Sequence, residues 1–461
     1  MTHTDMNVKG RLWWPALAVF AACSGLGWSQ GTSASAGAVK HVDPADQRIW
    51  FYQAQLKRDP DYWMNYNRLA SAYAQKARET GDISYFELAE TALNQSLKLE
   101  STHTDAAPAY TQLATVHLAE HKFSEAGEDA AKAIALEPSE MFAYPSAGDA
   151  ELEMGNYAAS RKYYEQLTEP RDGRPHLGIA FLAASHGAGL DWIRGDTAQA
   201  TADLEKAIQL AKELHLPAEN LAWTQFMLGE QFFQMGDLVS AEREEMASLS
   251  AFPRYHRALA AMGQIRASQG RYPEAISFYK DAVSIIPLPI YIAALGDVHA
   301  VSGDKAEAEK EYSLVEYIGK LSAINKQVFN RELALFYADH DRKLADGLVL
   351  AQKELEVRHD VYTSDALAWA LLKNRQAAKA KEEMEKALRM GTQDALMEYH
   401  AGLIYGALGD TAQESAHLKR ALAINPGFHV IFAGQAAKML AGLEGHGTGA
   451  TVTAAGVADA H

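Results

Sequence analysis

The stretch ALAAMGQIRASQGRYPEAISFYKDAVSIIP, residues 258–287, decides how the chain is read. It runs apolar residue then glycine (Met262-Gly263), a second glycine seven residues on (Gly270), a second apolar stripe, and then Pro287. Each position has a physical reason. A small residue at Gly263 lets a second helix approach the first. Gly270 stands where the first helix must end, a place that often takes a left-handed backbone. Ala275 is small where the second helix crosses the first, and Pro287 stops that helix because proline cannot continue the hydrogen-bond ladder.

The same grammar recurs in YHAGLIYGALGDTAQESAHLKRALAINP, residues 399–426. Self-similarity at about 34 residues with this pattern resembles the tetratricopeptide repeat. The resemblance implies an all-α, right-handed α-solenoid of about ten helix-turn-helix units. The units are expected near 62–100, 107–140, 141–170 and 176–215, around Gly229, Gly263 and Gly296, and at 326–358, 361–391 and 395–428. The eighth carries Asp341 in the glycine place. The first has the insertion ARETGDIS before Ala89. Residues 43–60, with Asp43 as cap and Pro44 opening the helix, read as a capping helix, and residues 428–443 as a closing one. Caps are needed because an open end of such a stack exposes apolar surface. The solenoid is thus expected over 42–441. The Gly/Ala/Thr-rich tail 442–461 lacks periodicity and is expected to be disordered.

The N-terminus has a different character. Residues 1–11 are polar and carry Lys9 and Arg11, and Leu12 to Ala22 is apolar. That is the layout of an export signal, so residues 1–36 are set apart as signal and linker. Cys23 is the single cysteine in the chain, so it forms no internal disulfide. Three fates are open. Ala21-Ala22-Cys23-Ser24 resembles a bacterial lipobox, with Cys23 lipidated, although Phe20 departs from the usual Leu or Val. Ala34-Ser35-Ala36 offers a cleavage site that discards Cys23. Or the segment stays as an anchor, against which Pro15, Gly25 and Gly27 argue. Each fate places the protein outside the cytoplasm, periplasmic or anchored at the envelope. A cysteine-free mature chain suits that location.

The net charge is −16, and removing residues 1–22 (Lys9, Arg11, Asp5; net +1) leaves −17. Such a surplus repels phosphate backbones, which excludes nucleic acid as a natural partner. Enzyme motifs are missing too: the chain has no G-x-S-x-G, no phosphate-binding G-x-x-x-x-G-K-[ST], and no non-repeat region able to house a catalytic domain. One constellation invites a metal reading. HLAEH, His117 to His121, fits H-x-x-E-H, with His117 and His121 as zinc ligands and Glu120 as general base. The repeat register opposes it. His117 occupies the place of Tyr73, Phe232 and Tyr405, and His121 falls where other repeats carry glycine. No catalytic residue, cofactor or metal is therefore expected.

In the repeat family the first helices line a concave groove that meets the ligand. By register this face carries Asn67, Thr111, Asp149, Trp192, Trp223, Phe226, Glu230, Phe233, Asp297, Tyr337, Tyr362, Asp365, Trp369 and Tyr399. The mixture is aromatic and acidic, as peptide-binding surfaces tend to be. The lysine- and asparagine-lined clamp for acidic chaperone tails is not matched, since only Asn67 fits it. Charge complementarity favours basic or neutral segments instead. The expected function is a non-enzymatic scaffold binding other proteins or peptides at the bacterial envelope, with membrane contact only through the N-terminus. The alternative is a module for small molecules or glycans that uses Trp192, Trp223 and Trp369.

Overall fold

The structure, a computed structural model, describes residues 44–168, 176–324 and 330–450. Cys23, the signal segment, Asp43 and the last eleven residues lie outside them. Among the described residues there are twenty-two α-helices and no strand.

After the capping helix α1 (Pro44–Arg58), ten helix pairs follow. They are α2 (Trp63–Thr80) with α3 (Ser84–Leu99), α4 (Ala107–Ala119) with α5 (Phe123–Leu136), and α6 (Ala143–Glu153) with α7 (Tyr157–Thr168). Next come α8 (Leu177–Ile193) with α9 (Thr197–Glu213), α10 (Ala218–Gln234) with α11 (Leu238–Ala251), and α12 (His256–Ser268) with α13 (Tyr272–Ile285). Then α14 (Pro289–Val301) pairs with α15 (Lys305–Ile324), and α16 (Asn330–Asp339) with α17 (Leu344–Val357). Last are α18 (Val361–Lys373) with α19 (Ala377–Ala387) and α20 (Ala395–Ala407) with α21 (Thr411–Ile424), closed by α22 (Phe432–Ala450). The closing helix therefore runs past Leu443 into the stretch expected to be tail. No proline follows Leu443 to stop the ladder.

The punctuation acts as its chemistry requires. Helices α11, α13 and α21 each end two residues before Pro253, Pro287 or Pro426. Gly270, Gly303 and Gly409 have positive φ at the turn between paired helices. Where a repeat lacks that glycine, another residue bears the strain: His121 (φ 58°), Asp341 (φ 51°) and Arg375 (φ 61°). Asp237, Asp360, Asp394 and Asp410 cap α11, α18, α20 and α21, each accepting a backbone N–H three residues on.

Two compact units are present. The first comprises the described residues up to Leu190 together with 205–220. Its core joins Leu69, Tyr73, Phe86, Leu93, Leu113 and Phe123. The second comprises 191–204 and Leu221 onward. In it, Trp369, Tyr399, Leu418, Phe428 and Phe432 form one cluster, and Phe233, Met262 and Ile265 another. The second unit also bonds to itself over long sequence distances. Thr392 Oγ1 donates to the Ile193 carbonyl (2.5 Å), Asn425 Nδ2 to that of Phe233 (2.7 Å), and Ser268 Oγ to that of Gly427 (2.8 Å).

Within the pairs one contact repeats. A glycine of the first helix receives a side chain sixteen residues on. A Cβ at Gly263 would stand 2.9 Å from the Tyr279 ring, and one at Gly296 would stand 2.6 Å from Tyr312. Gly148 faces Tyr164 in the same way, and Gly402 faces Leu418. In the fifth pair Gly229 faces a carboxyl, that of Glu245.

Candidate functional site

Asp149, Glu230 and Asp297, which follow Gly148, Gly229 and Gly296, are three of the residues expected on the ligand-facing side. In the first unit Asp149 is buried, as are Asn67 and Thr111. Thr111 turns its hydroxyl back to the Ala107 carbonyl (3.0 Å). Asp149 accepts from the Tyr164 hydroxyl (2.6 Å) and meets His186 Nδ1 at 2.9 Å. Burial, then the neighbouring Asp149 charge, pushes the Tyr164 hydroxyl far above its ordinary range, so it stays a donor.

The second unit repeats this triad. Asp297 accepts from the Tyr312 hydroxyl (2.8 Å) and meets His340 Nε2 (2.7 Å), with His429 Nε2 at 3.7 Å. Two repeats further, Asp365 meets His400 Nδ1 at 2.9 Å. The Trp369 ring stacks on His400 with centroids 4.2 Å apart, and its Nε1 donates to Asp339 (2.8 Å). Tyr399 stacks on Phe432 and donates to Gln435 Oε1 (3.0 Å). Burial opposes the charged form of His340 and His400, yet the carboxylates of Asp297 and Asp365 outweigh it and hold both above the ordinary imidazole value. Burial lowers His429 and raises Asp394 to about 6.

Of the fourteen residues expected on the ligand-facing side, eleven are therefore packed among neighbouring helices: the three of the first unit together with Trp192, Phe226, Phe233, Asp297, Tyr337, Asp365, Trp369 and Tyr399. Trp223, Glu230 and Tyr362 are half-buried and retain surface. Tyr362 accepts from Trp192 Nε1 at 3.2 Å, which ties two of the aromatics together. Sequence reasoning missed the histidines. The signal that could have found them is an acid followed by a histidine about one repeat later, 37, 43 and 35 residues on in the three cases.

Glu230 follows Gly229 as Asp149 follows Gly148 and Asp297 follows Gly296. Its partner at the tyrosine position is Glu245, wholly buried, with neither carboxyl oxygen hydrogen-bonded. Burial, then the Glu230 charge, raises Glu245 well above a carboxylate's ordinary value. Glu230 itself is raised to about 7 by burial, which Arg257 partly offsets. Burial and like charge both oppose ionising the two carboxyls together.

The histidine-rich motif resolves differently. Helix α4 ends at Ala119, so His121 lies past the helix rather than one turn along its face. Its ring stacks on Phe123. The residues brought together are instead Glu90, His117 and Glu120, whose ligand atoms lie within 4.8 Å of one another. That set has the donor chemistry for a divalent ion. Lys122 already holds the place, with Nζ 3.1 Å from Glu90 Oε2 and 2.6 Å from Glu120 Oε2, and His117 Nδ1 lies 2.9 Å from Asp129. An ion would have to displace that ammonium.

Two stretches match tetratricopeptide repeat models, residues 225–288 and residues 399–428. They coincide with the helix pairs from α10 to α13 and with α20–α21. No curated protein matches the chain. Among solved structures, one titled an APC/C hetero-tetramer of Cut9 and Hcn1 is similar at 15% identity and a TM-score of 0.31, over 87% of this chain and 90% of that chain. A likeness that low says nothing of partner or activity.

Proposed function

We propose that this chain, whose matched stretches are tetratricopeptide repeats, is a non-enzymatic protein-interaction scaffold at the bacterial cell envelope. Tetratricopeptide repeats bind other proteins or peptides, and the paired-helix architecture extends that reading over the described chain. The observation that carries the site is the half-buried set on the first helices of the second unit, Trp223, Glu230 and Tyr362. Aromatic side chains on first helices that also carry an acid suit an extended neutral or basic segment, because rings supply area at low entropic cost and an acidic side chain disfavours acidic partners. The envelope location is supported by the cationic start and the apolar run Leu12–Ala22.

The test is a photo-crosslinking residue placed at Trp223, at Tyr362 and, as control, at Val239 on α11 (79% exposed). Crosslinking is done in native cells, followed by separation of membrane and soluble fractions. Protein adducts at 223 and 362 with none at 239 support the reading. Adducts at 239 alone move the binding surface to the second helices. Intact mass in each fraction separates a chain lipidated at Cys23 from one starting at Gly37.

A further inference from the structure

Terminal helices of repeat stacks need a polar outer face to stay soluble, and the outer face of α1, although it carries Gln47, Lys57 and Arg58, also exposes two large rings. Trp50 is 60% exposed and Phe51 55%. With Ala54, Lys57 and Arg58, also exposed, they fall at positions i, i+1, i+4, i+7 and i+8, which is one side of a helix. The opposite side is fully occupied: Ala45 and Ile49 are buried, and Tyr52 and Leu56 pack into the core that α2 shares. Apart from the edge-to-face contact of Phe51 with Tyr52 (centroids 5.2 Å apart), the aromatic pair leaves most of its ring surface in solvent.

We infer that this face of α1 rests on a lipid surface. Aromatic rings concentrate at the boundary between headgroups and acyl chains. The chain's own layout selects lipid over a protein partner. The apolar run ends at Ala22, and Cys23 stands twenty-one residues before Pro44. Even fully extended, that connection reaches no more than about 75 Å. In the two fates that keep the chain anchored, through a lipidated Cys23 or an uncleaved leader, α1 stays within that reach of the same surface, and the second contact forms at raised effective concentration. The net charge of −16 opposes a broad electrostatic grip, so the contact is carried by the rings and is insensitive to salt. The inference rests on the envelope location proposed above.

The test uses the full chain with C23S and A54C, spin-labelled at residue 54, and vesicles of phosphatidylethanolamine and phosphatidylglycerol. Expected are flotation with the vesicles and a label that collides more with oxygen than with a water-soluble nickel chelate. The shift should be unchanged by high salt and lost in a W50S/F51S chain. A label at V239C should read aqueous throughout. A chain that floats while its residue-54 label stays aqueous overturns the inference and leaves the envelope location standing. A chain that does not float also overturns the inference, while the envelope location is read separately, from the cell fraction that holds the native chain. Dipolar broadening at residue 54 without vesicles, from a second copy covering the face, also overturns the lipid assignment.

Discussion

Glu245→Tyr should stabilise the protein and flatten its pH dependence. In the third, sixth and seventh pairs a tyrosine fills the slot above the first-helix glycine, and Tyr164 and Tyr312 each donate to the aspartate beside that glycine. The fifth pair offers the same slot above Gly229, with Glu230 in the aspartate's place. A tyrosine there buries a ring worth about 1.5–3 kcal/mol and makes a charge-assisted hydrogen bond worth about 1.5–3 kcal/mol. Overpacking by the larger side chain returns about 1–3 kcal/mol, so the net gain at pH 7 is about 2 kcal/mol.

The pH signature follows from linkage. A carboxyl whose folded pKa is raised contributes stability that is fully present below its unfolded value and lost as pH rises through the folded one. For Glu230, 4.5 to about 7 corresponds to about 3 kcal/mol, reduced to about 2 kcal/mol because the side chain keeps some solvent. Stability of the unaltered chain should therefore fall between pH 4.5 and 8. The tyrosine hydroxyl, bonding the ionised form, should remove most of that fall. Urea midpoints at pH 5, 6, 7 and 8 measure it, with native-state amide exchange on α10–α13 because a repeat array need not unfold in one step. A variant that loses 1 kcal/mol or more and keeps the original pH slope refutes the tyrosine-slot reasoning.

Three further outcomes are expected. Gly263→Ala puts a methyl group 2.9 Å from the Tyr279 ring and should cost about 1–3 kcal/mol, read as faster amide exchange in α12 and α13, while the same change at Gly434, which nothing crowds, should be neutral or better. His400→Gln removes an imidazole held above 6.5 by Asp365. Its contribution is present below pH 6.5 and lost above it, so the variant should trail the parent by about 1–3 kcal/mol at pH 6 and by less at pH 8 in urea titrations. Lys122→Met leaves Glu90 and Glu120 without their shared cation. A loss of about 1 kcal/mol is expected, kept small by the exposure of Lys122, and added zinc should raise the melting temperature of the variant and not of the parent.

The helix pairs were legible in the sequence because their causes are local. Gly270, Gly409, Pro287 and Pro426 act on the backbone within a few residues of themselves, and the identity of neighbours elsewhere in the fold does not alter that. The same register placed His121 at a glycine position, and its left-handed backbone is why it stands apart from His117. The extent of α22 was not legible, because a Gly/Ala-rich stretch carries neither a stop nor a periodic face.

The character of the ligand-facing side was decided by tertiary structure. The sequence ordered Asp149, Asp297, Asp365 and Trp369 onto the first helices. Whether each meets solvent depends on what the next repeat presents, and that is a contact across 35 to 43 residues. His186, His340 and His400 arrive from there and convert what read as an acidic groove into buried acid–histidine pairs. Glu245 shows the same dependence in reverse. By itself it is an ordinary helix glutamate; beneath Gly229 and close to the Glu230 charge it becomes a carboxyl that burial and a like charge push well above its ordinary pKa. Local chemistry fixed where the helices begin and end, and only packing between repeats fixed which of their charges are exposed.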